Sequence, residues 1–225
     1  MKIGMILFDN LTQLDLTGPY EVFWRMPNAE ILLISENLEP VKADGGLQLL
    51  PNITFEQCPD LDILFVPGGY GTSAAMENKM LIDFLKKQGA QARYVTSVCT
   101  GALVLGSAGL LRGYRATTHW LSLDLLKLFD AQVVENQRVV IDRNRMTGGG
   151  VTAGIDFGLT LAAEIFGENT AKEIQLMMEY NPQPPFNCGS PMTADVAVLD
   201  KIMMEKVEVQ EKRKEQILRI VRENA

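Results

Sequence analysis

Compact apolar runs alternate with segments of mixed polarity along most of the chain. Residues 2–8, 29–35, 63–66 and 94–97 are short and apolar at successive positions, the pattern of strands covered on both faces. Between them, residues 20–25 and 72–87 read as helices. Thr17-Gly18-Pro19 supplies a capping hydroxyl and an early proline to the first, and the second is amphipathic. This alternation predicts βαβ units around a mostly parallel, doubly wound sheet with flanking helices. Further on, residues 133–140 are interrupted by Glu135-Asn136-Gln137-Arg138 and predict a hairpin turning at Asn136 and Gln137, with Met146-Thr147 closing the sheet. Three glycines, 148–150, lead into a helix over 151–166 rich in small residues, and a second helix follows over 169–179. Prolines 182, 184 and 185 exclude helix and mark a crossing loop or linker. From 193 to 222 the helical pattern returns, with Leu199, Met203, Val207, Leu218 and Val221 on or near one face. The expected organisation is an α/β domain over 1–191 and a long C-terminal helix within 192–225, packed on that domain or on a partner subunit.

Composition narrows the function. With 47% hydrophobic and 22% charged residues the chain is an ordinary globular sequence able to bury a core. Its net charge of −7 lacks the basic footprint of a nucleic-acid binder, so no nucleic-acid partner is expected. The longest nearly apolar stretch, 102–111, is about half a membrane span and is broken by Gly106, Ser107 and Gly109. The apolar opening meets Asp9 too soon for a signal-peptide core, and a cytoplasmic protein without membrane contact is expected. Three cysteines lie far apart and His119 is the single histidine, so no structural metal site is expected.

Chemistry concentrates at Tyr94-Val95-Thr96-Ser97-Val98-Cys99-Thr100-Gly101, a buried strand running straight into a small-residue helix. This is the form of a nucleophile elbow: Gly101 allows a sharp turn, and a helix N-terminus favours the thiolate. Cys58 reads as packing, and Cys188 as a thiol without supporting context. Val66-Pro67-Gly68-Gly69-Tyr70-Gly71 is a glycine-rich turn whose backbone N–H groups at Gly68 and Gly69, with that of Thr100, are candidates for an oxyanion hole or simply a tight turn. Asp15, in the loop from the first strand to the first helix, reads equally as a proton donor beside the thiol or as a helix cap. His119 is either a base for Cys99 or structural. Tyr20, Trp24 and Tyr70 are expected to shape a small-molecule pocket, with His119 and Tyr70 in a second tier around the thiol.

The segments Val66-Pro67-Gly68-Gly69-Tyr70-Gly71, Ser97-Val98-Cys99-Thr100-Gly101-Ala102, Ala116-Thr117-Thr118-His119-Trp120, Gly148-Gly149-Gly150-Val151-Thr152-Ala153-Gly154-Ile155-Asp156 and Pro182-Gln183-Pro184-Pro185-Phe186 together resemble the ThiJ/PfpI superfamily. The resemblance runs from Lys2 to about Pro191 and implies a class I glutamine amidotransferase-like, flavodoxin-like fold. Thr100 stands where the intracellular-protease branch carries a histidine. With the Asp15 loop and the proline-rich segment, the Cys99-Thr100 pair resembles instead the superfamily's isonitrile-hydrating enzymes. That resemblance implies hydration of an isonitrile to an N-substituted formamide, with Cys99 attacking carbon, Asp15 giving a proton and Thr100 holding the adduct or water. It implies a homodimer as well, and no metal or organic cofactor. Glyoxalase or deglycase-like chemistry on reactive aldehydes, and a non-catalytic thiol-based small-molecule or redox sensor, are the alternatives. The superfamily's domains also serve as sensor halves of AraC-type regulators, but no DNA-binding half is expected here.

Overall fold

A computed structural model describes residues 1–223. The chain opens with β1 (Lys2–Ile6), α1 (Gln13–Phe23) and β2 (Glu30–Ser35). A two-stranded excursion follows, β3 (Val41–Lys42) with β4 (Gln48–Leu49), and then β5 (Ile53–Thr54) and β6 (Ile63–Val66). Next come α2 (Thr72–Glu77), α3 (Lys79–Gly89), β7 (Tyr94–Val98) and α4 (Gly101–Ser107). Beyond them lie β8 (Arg115–Ala116), a 3₁₀ turn at Trp120–Ser122, α5 (Leu123–Lys127) and β9 (Gln132–Val133). β10 (Val139–Asp142), β11 (Arg145–Gly148), α6 (Ala153–Phe166), α7 (Glu168–Met177) and α8 (Val196–Glu223) complete the chain.

The central sheet has seven strands in the order β10-β11-β7-β6-β1-β2-β5, all parallel except the β10–β11 pair. Its strands are apolar throughout because alternate side chains feed two different cores. Ile3 and Met5 of β1 and Ile63 and Phe65 of β6 pack toward α1, α6 and α7, while Ile6, Leu64 and Val66 pack toward α3, α4 and α5. Phe23, Phe65 and Phe157 form an aromatic knot between α1, sheet and α6, with centroids 5.7–6.3 Å apart. From β1 the chain proceeds to β2 on one side and returns to β6 on the other. The loops leaving β1 and β6 therefore meet at a topological switch point, where open α/β sheets take their ligands. They are laced together: Thr12 N–H donates to Gly68 O at 2.9 Å and Gly71 N–H to Asn10 O at 2.9 Å.

Several boundaries differ from expectation. α1 begins at Gln13, so Thr17, Gly18 and Pro19 lie within the helix and Asp15 in its first turn. Helix 72–87 is two helices, because Asn78 leaves helical geometry and its side chain accepts the Leu81 N–H, capping α3. The hairpin is β10–β11, turning at Arg143-Asn144. Asn136 and Gln137 lie outside it, since β9 pairs instead with β8, in parallel. Met146 and Thr147 belong to β11, which is flanked by β7 and the edge strand β10.

The C-terminal half of α8 docks on the α2/α4 side. Ile217 and Ile220 are buried, Gln216 Nε2 donates to Ser73 O at 2.7 Å, and Arg219 pairs with Glu77. Its N-terminal half exposes Val196, Met203, Met204 and Val207. Among the described residues no helix is long and apolar enough to cross a membrane.

Candidate active site

β7 is buried at all five positions and α4 starts three residues after it ends. Cys99 makes the turn with φ at +52°, a left-handed conformation that non-glycine residues hold only under constraint. The constraint is a set of hydrogen bonds. Cys99 N–H is shared between Gly148 O (3.1 Å) and Gly149 O (2.8 Å), and Thr118 Oγ1 donates to Cys99 O at 2.7 Å. Gly101 completes it, since a Cβ there would run into the carbonyl oxygens of Val66 and Pro67. The thiol is thus fixed at the carboxyl edge of the sheet, 5% exposed.

Asp15 reaches the same point from α1 and is fully buried. Its Oδ2 accepts the Gly68 N–H at 3.0 Å. Oδ1 has no hydrogen-bond partner, and the side chain that acts on the carboxyl is the Cys99 thiol. Burial raises the Asp15 pKa to about 7, opposed mainly by the thiol and by the Gly68 N–H. Cys99 is pushed well up as well, first by burial and then by the Asp15 charge, while the backbone N–H groups of Thr100 and Val151 favour its thiolate. The two groups form a coupled pair in which either ionises only while the other holds a proton.

The N–H groups of the glycine turn are engaged by side chains. Gly68 N–H is committed to Asp15 and Gly69 N–H to Thr100 Oγ1 (3.0 Å), so both glycines hold side chains in place and leave no open anion cradle. Gly68 is also a close approach, because a Cβ there would press on Thr100 N and Cys99 Cβ. Thr100 Oγ1 lies 2.7 Å from Thr72 Oγ1. The donors that address the sulfur are the N–H of Thr100 and that of Val151, which sequence reasoning missed. Val151 carries φ +35°, rare for a β-branched residue, and its contribution is backbone alone, so no side-chain motif announces it.

A cavity of about 330 Å³ opens over the thiol, lined by Cys99, Thr100, Tyr70 and His119 from the sheet edge and by Lys206 and Arg213 from α8. His119 has no hydrogen bond to Cys99. Its Nδ1 accepts the Leu121 N–H at 3.3 Å, which leaves the proton on Nε2, and burial followed by the Arg213 charge lowers its pKa, keeping the ring neutral. Tyr70 is exposed at the mouth, its hydroxyl accepting from Lys206 Nζ at 3.3 Å. Tyr20 and Trp24 do not line the cavity; Trp24 is exposed at the C-terminal end of α1, stacked beneath Arg25. Arg213 and Lys206 lie more than a hundred residues from Cys99 in sequence and carry no local motif that marks them as part of the site. Cys58 is buried beside Gln88, its thiol 3.3 Å from Pro59 O and its pKa raised to about 11 by burial, and Cys188 is exposed. Among the described residues no three His, Cys, Asp or Glu side chains converge to hold a metal ion.

Comparisons with known proteins agree with this architecture. The chain is 55% identical over 201 residues to isonitrile hydratase of Pseudomonas putida, covering 89% of this chain and 88% of the relative. It is 33% identical over 187 residues to the HTH-type transcriptional regulator GbdR of Pseudomonas aeruginosa, covering 80% of this chain and half of the regulator. The crystal structure of a ThiJ/PfpI family protein from Pseudomonas syringae superimposes with a TM-score of 0.93 at 44% identity, covering 96% of this chain and 90% of that one. Drosophila melanogaster DJ-1beta shares the fold at a TM-score of 0.73 and 22% identity, over 79% and 97% of the two chains. The DJ-1/PfpI family profile matches residues 1–164, and with these relatives it establishes that the chain belongs to the DJ-1/PfpI family.

Proposed function

We propose that this protein hydrates an isonitrile to an N-substituted formamide through a thioimidate on Cys99. The observation that carries the reading is the buried Cys99–Asp15 pair under a small cavity, in a chain 55% identical to an isonitrile hydratase. Transfer of the thiol proton to the Asp15 carboxylate gives a thiolate beside a carboxylic acid, with the N–H groups of Thr100 and Val151 supporting the sulfur charge. Sulfur attacks the terminal carbon of R–N≡C, and that carbon takes the Asp15 proton, leaving Cys99–S–CH=N–R. Water then adds to the same carbon. One of its protons goes to nitrogen and the other returns to the thiol as the C–S bond breaks, releasing R–NH–CHO. Atoms and electrons balance between isonitrile, water and formamide, so the reaction calls for no cofactor. Thr100, held by Gly69 and Thr72, orients the adduct or the water, with His119 and Tyr70 around it.

The same reading takes residues 1–191 as the enzymatic domain and 192–225 as an extension, and the protein as a cytoplasmic homodimer without nucleic-acid or membrane partners. The exposed Met203, Met204 and Val207 of α8 support a second subunit. The test is incubation with cyclohexyl isocyanide, following N-cyclohexylformamide by mass spectrometry. Product from the intact protein and none from Cys99→Ser is expected. Turnover of methylglyoxal without formamide, or oxidation of Cys99 without turnover of either, would replace the reading with its aldehyde or sensor alternative.

A further inference from the structure

The cavity over Cys99 carries a charge that the mechanism above does not use. α8 lines one wall with Ile202, Lys206, Val209, Gln210 and Arg213, spaced to share one helical face. Arg213 is 5% exposed and, among the described residues, has no carboxylate partner. Among the described residues its hydrogen bond is a long one, Nε to Ser73 Oγ at 3.4 Å, and the side chain lines the cavity. Arg219, further along the same helix and more exposed, is paired with Glu77, so the buried arginine is the one left without an anion. Lys206 adds a second cation at the mouth, 5.4 Å from the Tyr70 ring centroid, and no aspartate or glutamate lines the cavity. In a chain of net charge −7 this is a local inversion of sign directly over the nucleophile. A buried cation without a counter-ion is costly, and that cost is offset when an anion enters.

We infer that the cavity takes a substrate carrying an anionic group, a carboxylate being the chemistry that fits the guanidinium fork of Arg213, with Lys206 guarding the entrance. Resting on the hydratase reading, this makes the substrate class carboxylate-bearing isonitriles. The competing role for Arg213 is support of the Cys99 thiolate: burial lowers the guanidinium's pKa, and the Cys99 charge opposes that lowering. The two roles separate by substrate.

A matched pair tests them: cyclohexyl isocyanide and 4-isocyanocyclohexanecarboxylate. The wild-type protein is expected to show a kcat/KM for the acid at least tenfold above that for the neutral compound, expressed mainly in KM. Arg213→Gln is expected to lower that ratio at least tenfold, and Arg213→Lys to recover part of it. A wild-type ratio of one or less overturns the inference, and so does an Arg213→Gln variant that slows both compounds alike. Should Arg213→Gln fail to fold, the wild-type ratio and Arg213→Lys decide. Failure of both compounds to react would count against hydration and leave anion capture with its own readout, the rate of Cys99 alkylation by iodoacetate relative to iodoacetamide. That ratio is expected to fall in the arginine variants, and an unchanged ratio overturns the inference.

Discussion

Two buried thiols in this molecule, Cys58 and Cys99, have similar exposure, 7% and 5%, and burial raises the pKa of both. Their surroundings divide them. Cys58 donates to Pro59 O beside the Gln88 amide, with no positive φ and no place among the residues lining the cavity over Cys99. Cys99 stands at φ +52° on an elbow, with a coupled carboxyl on one side, two backbone N–H groups addressing the sulfur and a cavity above. Burial makes a thiol inert; a proton-accepting neighbour, charge-stabilising donors and access together make it a nucleophile.

Replacing each cysteine in turn breaks this contrast most sharply. Cys99→Ala is expected to remove formamide production by about 10⁴-fold or more. Cys58→Ala is expected to keep turnover and lower stability by about 1 kcal/mol, read from the urea midpoint. Next in size, Asp15→Asn is expected to reduce kcat/KM by about 10²–10⁴-fold, because the amide neither takes the thiol proton nor returns one to carbon.

The pH dependence sharpens the comparison further. The reactive state of the pair holds one proton, so wild-type kcat/KM is expected to rise as pH passes through about 7, where the Asp15 carboxyl titrates. Stability runs the other way. The folded pKa of Asp15 lies above its unfolded value, so its contribution is complete below about 4 and is lost as pH rises through about 7. Urea midpoints between pH 4 and 8 are expected to move in favour of Asp15→Asn relative to wild type, by on the order of 2–4 kcal/mol. The smallest expected effect is kinetic: in a Cys188→Ser background, iodoacetamide at pH 8 is expected to label Cys99 at least about tenfold faster than Cys58, scored by peptide mass.

The elbow was legible in the sequence because its parts are local. An apolar strand, a cysteine and a glycine two residues on leave few other readings, and β6 and the start of β7 fell where the apolar runs put them. The start of α1 was misread because Thr17-Gly18-Pro19 imitates a helix start, whereas the helix tolerates Pro19 against Gly154, whose missing Cβ leaves the ring room. Gly68 and Gly69 signalled a site, but not that their N–H groups would be taken up by Asp15 and Thr100, which depends on long-range approach. Val151 acts through its backbone and Arg213 through the docking of α8, and neither leaves a local motif.

Intact-protein mass spectrometry after rapid mixing with cyclohexyl isocyanide and an acid quench tests the central claim most directly. Because attack by sulfur adds the whole isonitrile and expels nothing, the account predicts a transient species heavier by one isonitrile, mapped to the Cys99 peptide and decaying as formamide forms. Formamide produced at full rate with no mass added at Cys99 would contradict it.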